Sequence, residues 1–234
     1  MIIVKSALTN YARRLQLRKI ISREAVEAKV KVGVLFSLGL PANGQMPPDL
    51  LDEIAQFDDI LLASYADTYH NLTLKTISNL RFVHRHCLRA SSTFVFLDDV
   101  HGISLKQLRR FFSNFPLSEV RRSIFGHINT RSPVMRSYES KWMTERKAFP
   151  FPKYPQYAAG PCYIIGADLI SKFSIAAAFT RLFPVEDVYV GIIASKLGLR
   201  IRSLPKMHIH RSRIPRRAFP LVAELKFFAR NPIT

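Results

Sequence analysis

Hydrophobic residues along the chain follow two alternating patterns. Short continuous apolar runs predict buried strands at residues 2–5, 30–40, 60–63, 93–99, 120–128 and 162–165. Helical spacing or composition predicts helices at residues 11–28, 49–57, 72–87, 104–112, 168–180 and 187–197. Strands that alternate with helices are typical of a mostly parallel sheet covered on both faces. The predicted fold class is therefore α/β.

Residues 137–159 follow neither pattern and are rich in Tyr, Pro and Lys. Irregular segments of this length often face a substrate. The chain shows no internal repeat and no linker that would divide it. We therefore predict a single domain over residues 1–234, and we expect the irregular segment to form part of its functional surface.

The composition excludes several classes of protein. A chain of 234 residues with 48% hydrophobic residues and only 9 glycines can bury a substantial core and is not disordered. No apolar stretch reaches the ~20 residues of a membrane span, and residues 1–5 are too short for the core of a signal peptide. Two cysteines, Cys87 and Cys162, exclude a disulfide-rich scaffold. They can form one bridge or stay as two buried thiols, and two free thiols are the default expectation.

A net charge of +18 suggests an anionic partner. Basic residues crowd two regions, 5–31 and 200–230. Such a field attracts nucleic acid, acidic lipid surfaces, acidic glycans or nucleotide diphosphates. The chain has neither zinc-finger spacing nor an aromatic-basic RNA-binding motif, so we do not expect it to recognise nucleic acid.

Two adjacent acids, Asp98 and Asp99, close the apolar run that begins at Thr93. Carboxylates at the end of a buried strand are costly unless something pairs with them, and strand ends of open α/β sheets are where ligands bind. Hard oxygen ligands suit Mg²⁺ or Mn²⁺ bridged to a substrate phosphate. The alternative is an acidic pair that simply begins a surface turn.

Four polar blocks occur along the chain in a characteristic order. They are residues 5–7 with 13–18, residues 59–60 with 67–76, residues 98–100, and residues 154–157 and 160–163 with 184–191. In this order and spacing the chain resembles, over nearly its whole length, the β-1,3-galactosyltransferase family, which includes β-1,3-N-acetylglucosaminyltransferases. The second and fourth blocks are the most specific.

The resemblance implies a GT-A-like nucleotide-sugar transferase fold with a Rossmann-like, mostly parallel sheet flanked by helices. It implies a UDP-sugar donor, a divalent metal, usually Mn²⁺, and an inverting transfer of galactose or N-acetylhexosamine to a glycan hydroxyl in β-1,3 linkage. The glycan would belong to a glycoprotein, a glycolipid or a glycosaminoglycan. Family members are type II membrane proteins, which implies a Golgi lumenal catalytic domain and a membrane anchor upstream of residue 1.

The resemblance also assigns roles to the acids. Asp99 matches the acid expected to bind the metal, and Asp98 matches an acid expected near the ribose or uracil. Asp187 matches the catalytic base that deprotonates the acceptor hydroxyl, with Glu186 as the second choice. The alternative for Glu186 and Asp187 is acidic charge at a helix N-terminus, favoured by the helix dipole.

Basic residues and histidines complete the expected site. Arg14 and Arg18, one helical turn apart, match positions near the donor diphosphate, and the alternative is a solvated helix face. Lys75 resembles a family lysine near the donor, and the alternative is an exposed helix lysine. His208 and His210 are spaced for one face of a strand. Some related transferases supply a metal-binding histidine from this region, but the choice between the two stays open, as does a pair of surface histidines.

Three positions depart from the family pattern. Leu97 stands at the first acid of a triplet, residues 20–21 replace a Thr-Trp pair, and Ala158 replaces a cysteine, which leaves Cys162 without its expected partner. These departures keep two other functions open. One is a weak or inactive homologue that binds nucleotide or acidic glycan, and the other is a basic polyanion-binding protein.

Overall fold

A computed structural model describes residues 1–209 and 220–230 of the chain. The strands within these residues are β1 Ile2–Lys5, β2 Val34–Leu40, β3 Ile60–Ala66, β4 Thr93–Asp98, β5 His101–Ile103, β6 Ile124–Asn129, β7 Tyr157–Gly166, β8 Ile201–Ser203 and β9 Val222–Glu224. The helices are α1 Tyr11–Ala28, α2 Pro48–Phe57, α3 Leu72–His86, α4 Leu105–Phe112, α5 Leu117–Arg121, α6 Ala167–Ala178, α7 Glu186–Lys196 and α8 Leu225–Arg230, and a 3₁₀ turn, Tyr69–Asn71, precedes α3.

Seven strands form one sheet in the order β3-β2-β1-β4-β7-β6-β8. Strand β7 runs antiparallel to its neighbours β4 and β6, while the other pairings are parallel. Strands β5 and β9 form a separate antiparallel pair. The predicted mostly parallel sheet is confirmed.

The core lies on both faces of this sheet. Val95 and Leu97 of β4 pack in a cluster with side chains of α1, α4 and α8. Phe94 and Phe96 pack on the opposite face with side chains of α3, α6 and α7. Alternate residues of a strand point to opposite faces, so a strand covered on both sides must be apolar throughout, which explains the continuous apolar run in β4.

Several predicted boundaries are wrong for local reasons. Strand β2 begins at Val34 rather than at residue 30. Residues 117–121 form α5 after Pro116, so the strand predicted from residue 120 begins at Ile124. Strand β7 extends back to Tyr157 and shortens the irregular segment. Strands β5, β8 and β9 were not predicted because three residues show no measurable periodicity.

Both cysteines are buried free thiols, so the default expectation of two free thiols is confirmed. Within the described residues, no helix has the length and apolar character that crossing a membrane requires.

A buried ion network joins α1 to α2. Arg14 is fully buried and makes a bidentate contact with Glu53, at 2.9 Å from Nε and 2.5 Å from Nη2, and Nη1 also donates to the Ala7 carbonyl at 2.6 Å. Arg18 contacts Glu53 at 2.8 Å and Asp59 at 2.7 Å. Burial acts to raise the pKa of Glu53, but the hydrogen bonds from both arginines outweigh it and lower the pKa. The network therefore supports the loop that follows β1.

We predict that Glu53→Gln lowers the free energy of unfolding by about 3–5 kcal/mol, because it leaves a buried guanidinium without its counter-charge. Urea denaturation of the variant measures this loss. Asp52→Asn is the matched control, since Asp52 is the exposed neighbour of Glu53 on α2. Equal effects of the two substitutions would contradict the prediction.

Candidate active site

The carboxyl ends of β1 and β4 meet at one edge of the sheet. The two strands are parallel and pair Lys5 with Asp98 at their last residues. Strand β7 runs in the opposite direction, so its early residue Gly160 lies at this same edge. Helix α7 begins here with Glu186 and Asp187. Carboxyl ends of parallel strands are the usual ligand site of such sheets.

Lys5 is the buried centre of this edge. Its Nζ lies 3.0 Å from Asp98 Oδ1 and 3.3 Å from Glu186 Oε1, and it donates a hydrogen bond to the Gly160 carbonyl at 2.9 Å. Burial acts to lower the pKa of Lys5, but the charges of Asp98 and Glu186 outweigh burial and raise this pKa. The ammonium is therefore held in its charged form.

Glu186 connects α7 to three other elements. Besides Lys5 of β1, its Oε1 accepts hydrogen bonds from Thr76 Oγ1 of α3 at 2.7 Å and from the Tyr163 hydroxyl of β7 at 2.9 Å. The carboxylate is buried and its oxygens are occupied by these donors. The contacts favour a structural role for Glu186, and its role as the second-choice base stays a prediction.

Asp187 has a different environment one residue further. Its Oδ2 accepts the Gly160 N–H at 3.2 Å, and its Oδ1 accepts the Val188 N–H at 2.8 Å. Burial and the adjacent negative charge of Glu186 raise the pKa of Asp187 to about 6. A partly exposed carboxylate with this proton affinity can take up a proton near neutral pH.

The two acids at the carboxyl end of β4, Asp98 within the strand and Asp99 directly after it, have different surroundings. Asp98 is 36% exposed and pairs with Lys5. Asp99 is buried, and its Oδ2 accepts hydrogen bonds from Ser6 Oγ at 2.6 Å and Asn10 Nδ2 at 2.8 Å. Arg13 Nη1 lies 3.4 Å from Asp99 Oδ1. Asp99 thus fastens the loop between β1 and α1, while Asp98 keeps the more open carboxylate.

Leu97, at the position of the first acid of the triplet, belongs to the core and not to this edge. Its side chain is fully buried in the core cluster beneath α1 and α4. Val100, which follows Asp99 in the turn, is 39% exposed, and its side chain has no atom that can bind a metal ion.

The side chains of the described residues do not by themselves form a complete ligand set for Mn²⁺. No group of three or more His, Cys, Asp or Glu side chains among residues 1–209 and 220–230 is arranged to hold a metal ion. Asp98 is paired with Lys5, and Asp99 already accepts three protein donors. His208 lies after β8, and its backbone N–H donates to the Val222 carbonyl of β9 at 2.7 Å. His210 lies outside the described residues.

The basic residues expected near the donor contact protein groups. Arg14 and Arg18 bind carboxylates of the network described above, so the alternative of a solvated helix face is wrong for the fully buried Arg14. Lys75 is also buried, and its Nζ donates to the Ser6 carbonyl and, at 2.9 Å, to Asp67 Oδ1. The alternative of an exposed helix lysine is therefore wrong. These contacts favour structural roles, and contact with a donor stays a prediction.

Sequence reasoning missed the central position of Lys5 and the presence of His101. A lysine at the last position of a buried strand needs an acidic partner, and that requirement could have identified Lys5. His101 of β5 is buried near this edge, where burial lowers its pKa and the charge of Asp98 opposes the change. No motif in the sequence distinguishes His101.

Comparisons with known proteins agree with this architecture. The sequence profile of the galactosyltransferase family matches residues 12–205. The chain therefore belongs to the galactosyltransferase family. Its sheet order and its family membership together confirm the predicted GT-A-like fold class.

Individual relatives are similar over most of this chain. It is 29% identical to "Beta-1,3-galactosyltransferase brn" of Drosophila melanogaster over 89% of the chain and 63% of the relative. It is 34% identical to "Beta-1,3-galactosyltransferase 1" of Mus musculus over 73% of the chain and 52% of the relative. It is 28% identical to a lactosylceramide 1,3-N-acetyl-beta-D-glucosaminyltransferase of Xenopus tropicalis, over 90% and 56%. The chain thus spans between half and two thirds of these relatives' lengths.

Solved structures show a more distant likeness. The galactosyltransferase LgtC, solved with donor and acceptor sugar analogs, has a TM-score of 0.46 at 12% identity, over 96% of this chain and 86% of that one. A glycosyltransferase for the major capsid of PBCV-1 has the same TM-score at 12% identity, over 89% and 84%. The fold assignment depends on the strand order and the family, not on these scores.

We predict opposite effects on stability from substitutions at the two adjacent acids. Glu186→Gln removes the counter-charge of a buried ammonium and is expected to lower the free energy of unfolding by about 3 kcal/mol or more. Asp187→Asn is expected to raise it by about 1–2 kcal/mol at pH 8, because the raised pKa of Asp187 means that its ionised form destabilises the folded state.

The sign follows from proton uptake. Between pH 4 and about 6 the folded protein holds the Asp187 proton more tightly than the unfolded chain, so stability falls as pH rises through this window. The gain from Asp187→Asn is therefore complete above pH 6 and shrinks toward pH 4. Denaturant titrations at pH 8 and pH 4.5 measure it, and a gain at pH 4.5 as large as at pH 8 would contradict this explanation.

Proposed function

We propose that this protein is a hexosyltransferase that moves galactose or N-acetylhexosamine from a UDP-sugar to a glycan hydroxyl, with inversion and in β-1,3 linkage. Family membership supports the reaction class. The observation that carries the proposal is the Asp187 carboxylate at the carboxyl edge of the sheet, with its pKa raised to about 6.

In this proposal Asp187 is the catalytic base. It accepts the proton of the acceptor hydroxyl while that oxygen attacks the anomeric carbon. The new carbon–oxygen bond forms as the bond from the same carbon to UDP breaks, and the bonding electrons leave with UDP. One positioned base suffices for this single displacement, unlike the paired carboxylates of glycosidases.

The proposed donor site lies where β1 passes into α1. Helix α1 points its N-terminus at this edge, and helix N-termini favour phosphate groups. Arg13 stands in the first turn of α1 with its side chain 47% exposed. It is therefore available to the diphosphate in a way that the buried Arg14 is not. Dependence on Mn²⁺ and a Golgi lumenal location with a membrane anchor stay part of the proposal through the family resemblance alone.

A second candidate is a homologue that binds nucleotide without turnover. The occupied oxygens of Asp99 favour it, because that acid was expected to bind the metal. It predicts UDP binding with no UDP release from any donor. A third, a polyanion-binding protein, fits the charge of +18 and predicts heparin binding that weakens steeply with salt and survives Asp99→Ala.

We predict that Asp187→Asn lowers kcat for UDP release by about 100-fold or more, with little change in the KM for the donor, because a positioned base contributes on this scale. Measuring UDP release from UDP-galactose and UDP-N-acetylglucosamine with a panel of glycan acceptors, with added Mn²⁺ and with a chelator, tests the reaction. Unchanged turnover in Asp187→Asn would remove Asp187 from this role.

We also predict an acidic limb in the pH dependence of kcat/KM. The base must be ionised to accept a proton, so the rate should fall about tenfold per pH unit below about pH 6. The residual rate of Asp187→Asn should lack this limb. A limb that persists in that variant would assign the titration to another group.

A further inference from the structure

The segment between β6 and β7, residues 130–156, is closed at its base by backbone pairing. Pro133 and Lys153 form an antiparallel bridge. The Val134 N–H donates to the Pro152 carbonyl at 3.0 Å, and the Tyr154 N–H donates to the Ser132 carbonyl at 2.9 Å. The segment therefore leaves the sheet and returns to it through a paired neck.

Arg136 organises the interior of this segment. Its guanidinium donates to the carbonyl oxygens of Thr144 at 2.7 Å, Phe149 at 2.7 Å and Phe151 at 3.0 Å. The Thr144 hydroxyl lies 2.9 Å from the Tyr154 hydroxyl. The segment thus has a defined shape without regular secondary structure, and it holds residues 137–143 at its tip.

At the tip of the segment, the Lys141 ammonium lies close to two aromatic rings, those of Trp142 and Tyr69. Lys141 Nζ lies 4.9 Å from the centre of the Trp142 ring and 5.2 Å from the centre of the Tyr69 ring. Trp142 is 48% exposed and Tyr69 is 44% exposed. Two large rings that stay half open to water beside an exposed ammonium form a surface with apolar area and positive charge.

This surface borders the candidate active site. Tyr69 lies in the turn before α3, and the charges of Asp187, Asp98 and Glu186 all act on its hydroxyl. Burial is the main cause that raises the pKa of Tyr69, the side chain of Trp142 acts against it as a hydrogen-bond partner, and the three carboxylates add to the increase. Strand β3 runs parallel to β2 and β1, so the turn that contains Tyr69 follows β3 at the same edge of the sheet as Asp187.

We propose that Tyr69, Trp142 and Lys141 form an acceptor subsite that takes a sugar carrying an anionic substituent, a carboxylate or a sulfate. A pyranose ring has an apolar face that packs on aromatic rings and an edge of hydroxyl groups that stay hydrated. An exposed cation–π contact is weak, so the Lys141 ammonium can turn from the rings to an anion on the bound sugar. The net charge of +18 favours approach of acidic glycans.

The name acceptor subsite rests on the proposed transferase function, but binding of the sugar can be measured without turnover. Trp142 is the chain's single tryptophan, so emission excited at the red edge of tryptophan absorption, where the eight tyrosines do not absorb, reports on this surface. Methyl galactoside, its 6-sulfate and methyl galacturonide are titrated into the whole chain in the absence of donor. The last two compounds separate sulfate from carboxylate recognition.

We expect both acidic sugars to shift the Trp142 emission and to bind about tenfold more tightly than the neutral galactoside. Lys141→Met should abolish this preference while the neutral sugar still binds. Lys31→Met is the matched control, because exposed Lys31 precedes β2 at the opposite edge of the sheet, and it should keep the preference.

Turnover provides the second measurement. Trp142→Phe and Tyr69→Ala should raise the KM for the acceptor about tenfold and leave the KM for the donor unchanged. Absence of UDP release with every donor would overturn the proposed function but not the fluorescence result. No emission change with any of the three sugars would overturn the subsite, and equal affinity for neutral and acidic sugars would overturn its anion preference.

Discussion

The ion cluster around Lys5 is the interaction on which the rest of the site depends. The buried ammonium at the end of β1 contacts Asp98 of β4, Glu186 of α7 and the Gly160 carbonyl of β7. One charge therefore holds four elements together at a single edge of the sheet. Because desolvation of the ammonium is offset only while its partners stay in place, none of these elements can shift without exposing an unpaired charge.

The same ion cluster also sets the charge around Asp187. Two carboxylates, Asp98 and Glu186, share one ammonium, so the cluster carries surplus negative charge. Asp187 lies beside that surplus, where burial and then the charge of Glu186 raise its pKa and Lys5 partly opposes the change. These adjacent acids therefore differ in environment, because the Glu186 carboxylate is saturated by donors while the Asp187 carboxyl has a raised pKa.

Patterns that repeat over many residues were predictable, and partners distant in sequence were not. Helix α1 was predicted with its observed bounds because it lacks Gly and Pro, and the continuous apolar run of β4 identified a buried central strand. The sequence shows that Arg14 is charged but not that Glu53, 39 residues away, lies against it. Alternation along β4 places Asp98 and Asp99 on opposite faces, but only packing decides which of them faces an open site.

The reversed direction of β7 determines where along the chain the sequence of such a protein can vary most freely. Strand β6 ends and β7 begins at the same edge, so the segment that joins them departs and returns where Asp187 stands. Residues can be inserted or exchanged above its paired neck without changing the register of the sheet or the loop that Asp99 fastens. A lineage can therefore reshape the surface beside Asp187 by altering this one segment, while the elements that Lys5 holds together are inherited unchanged.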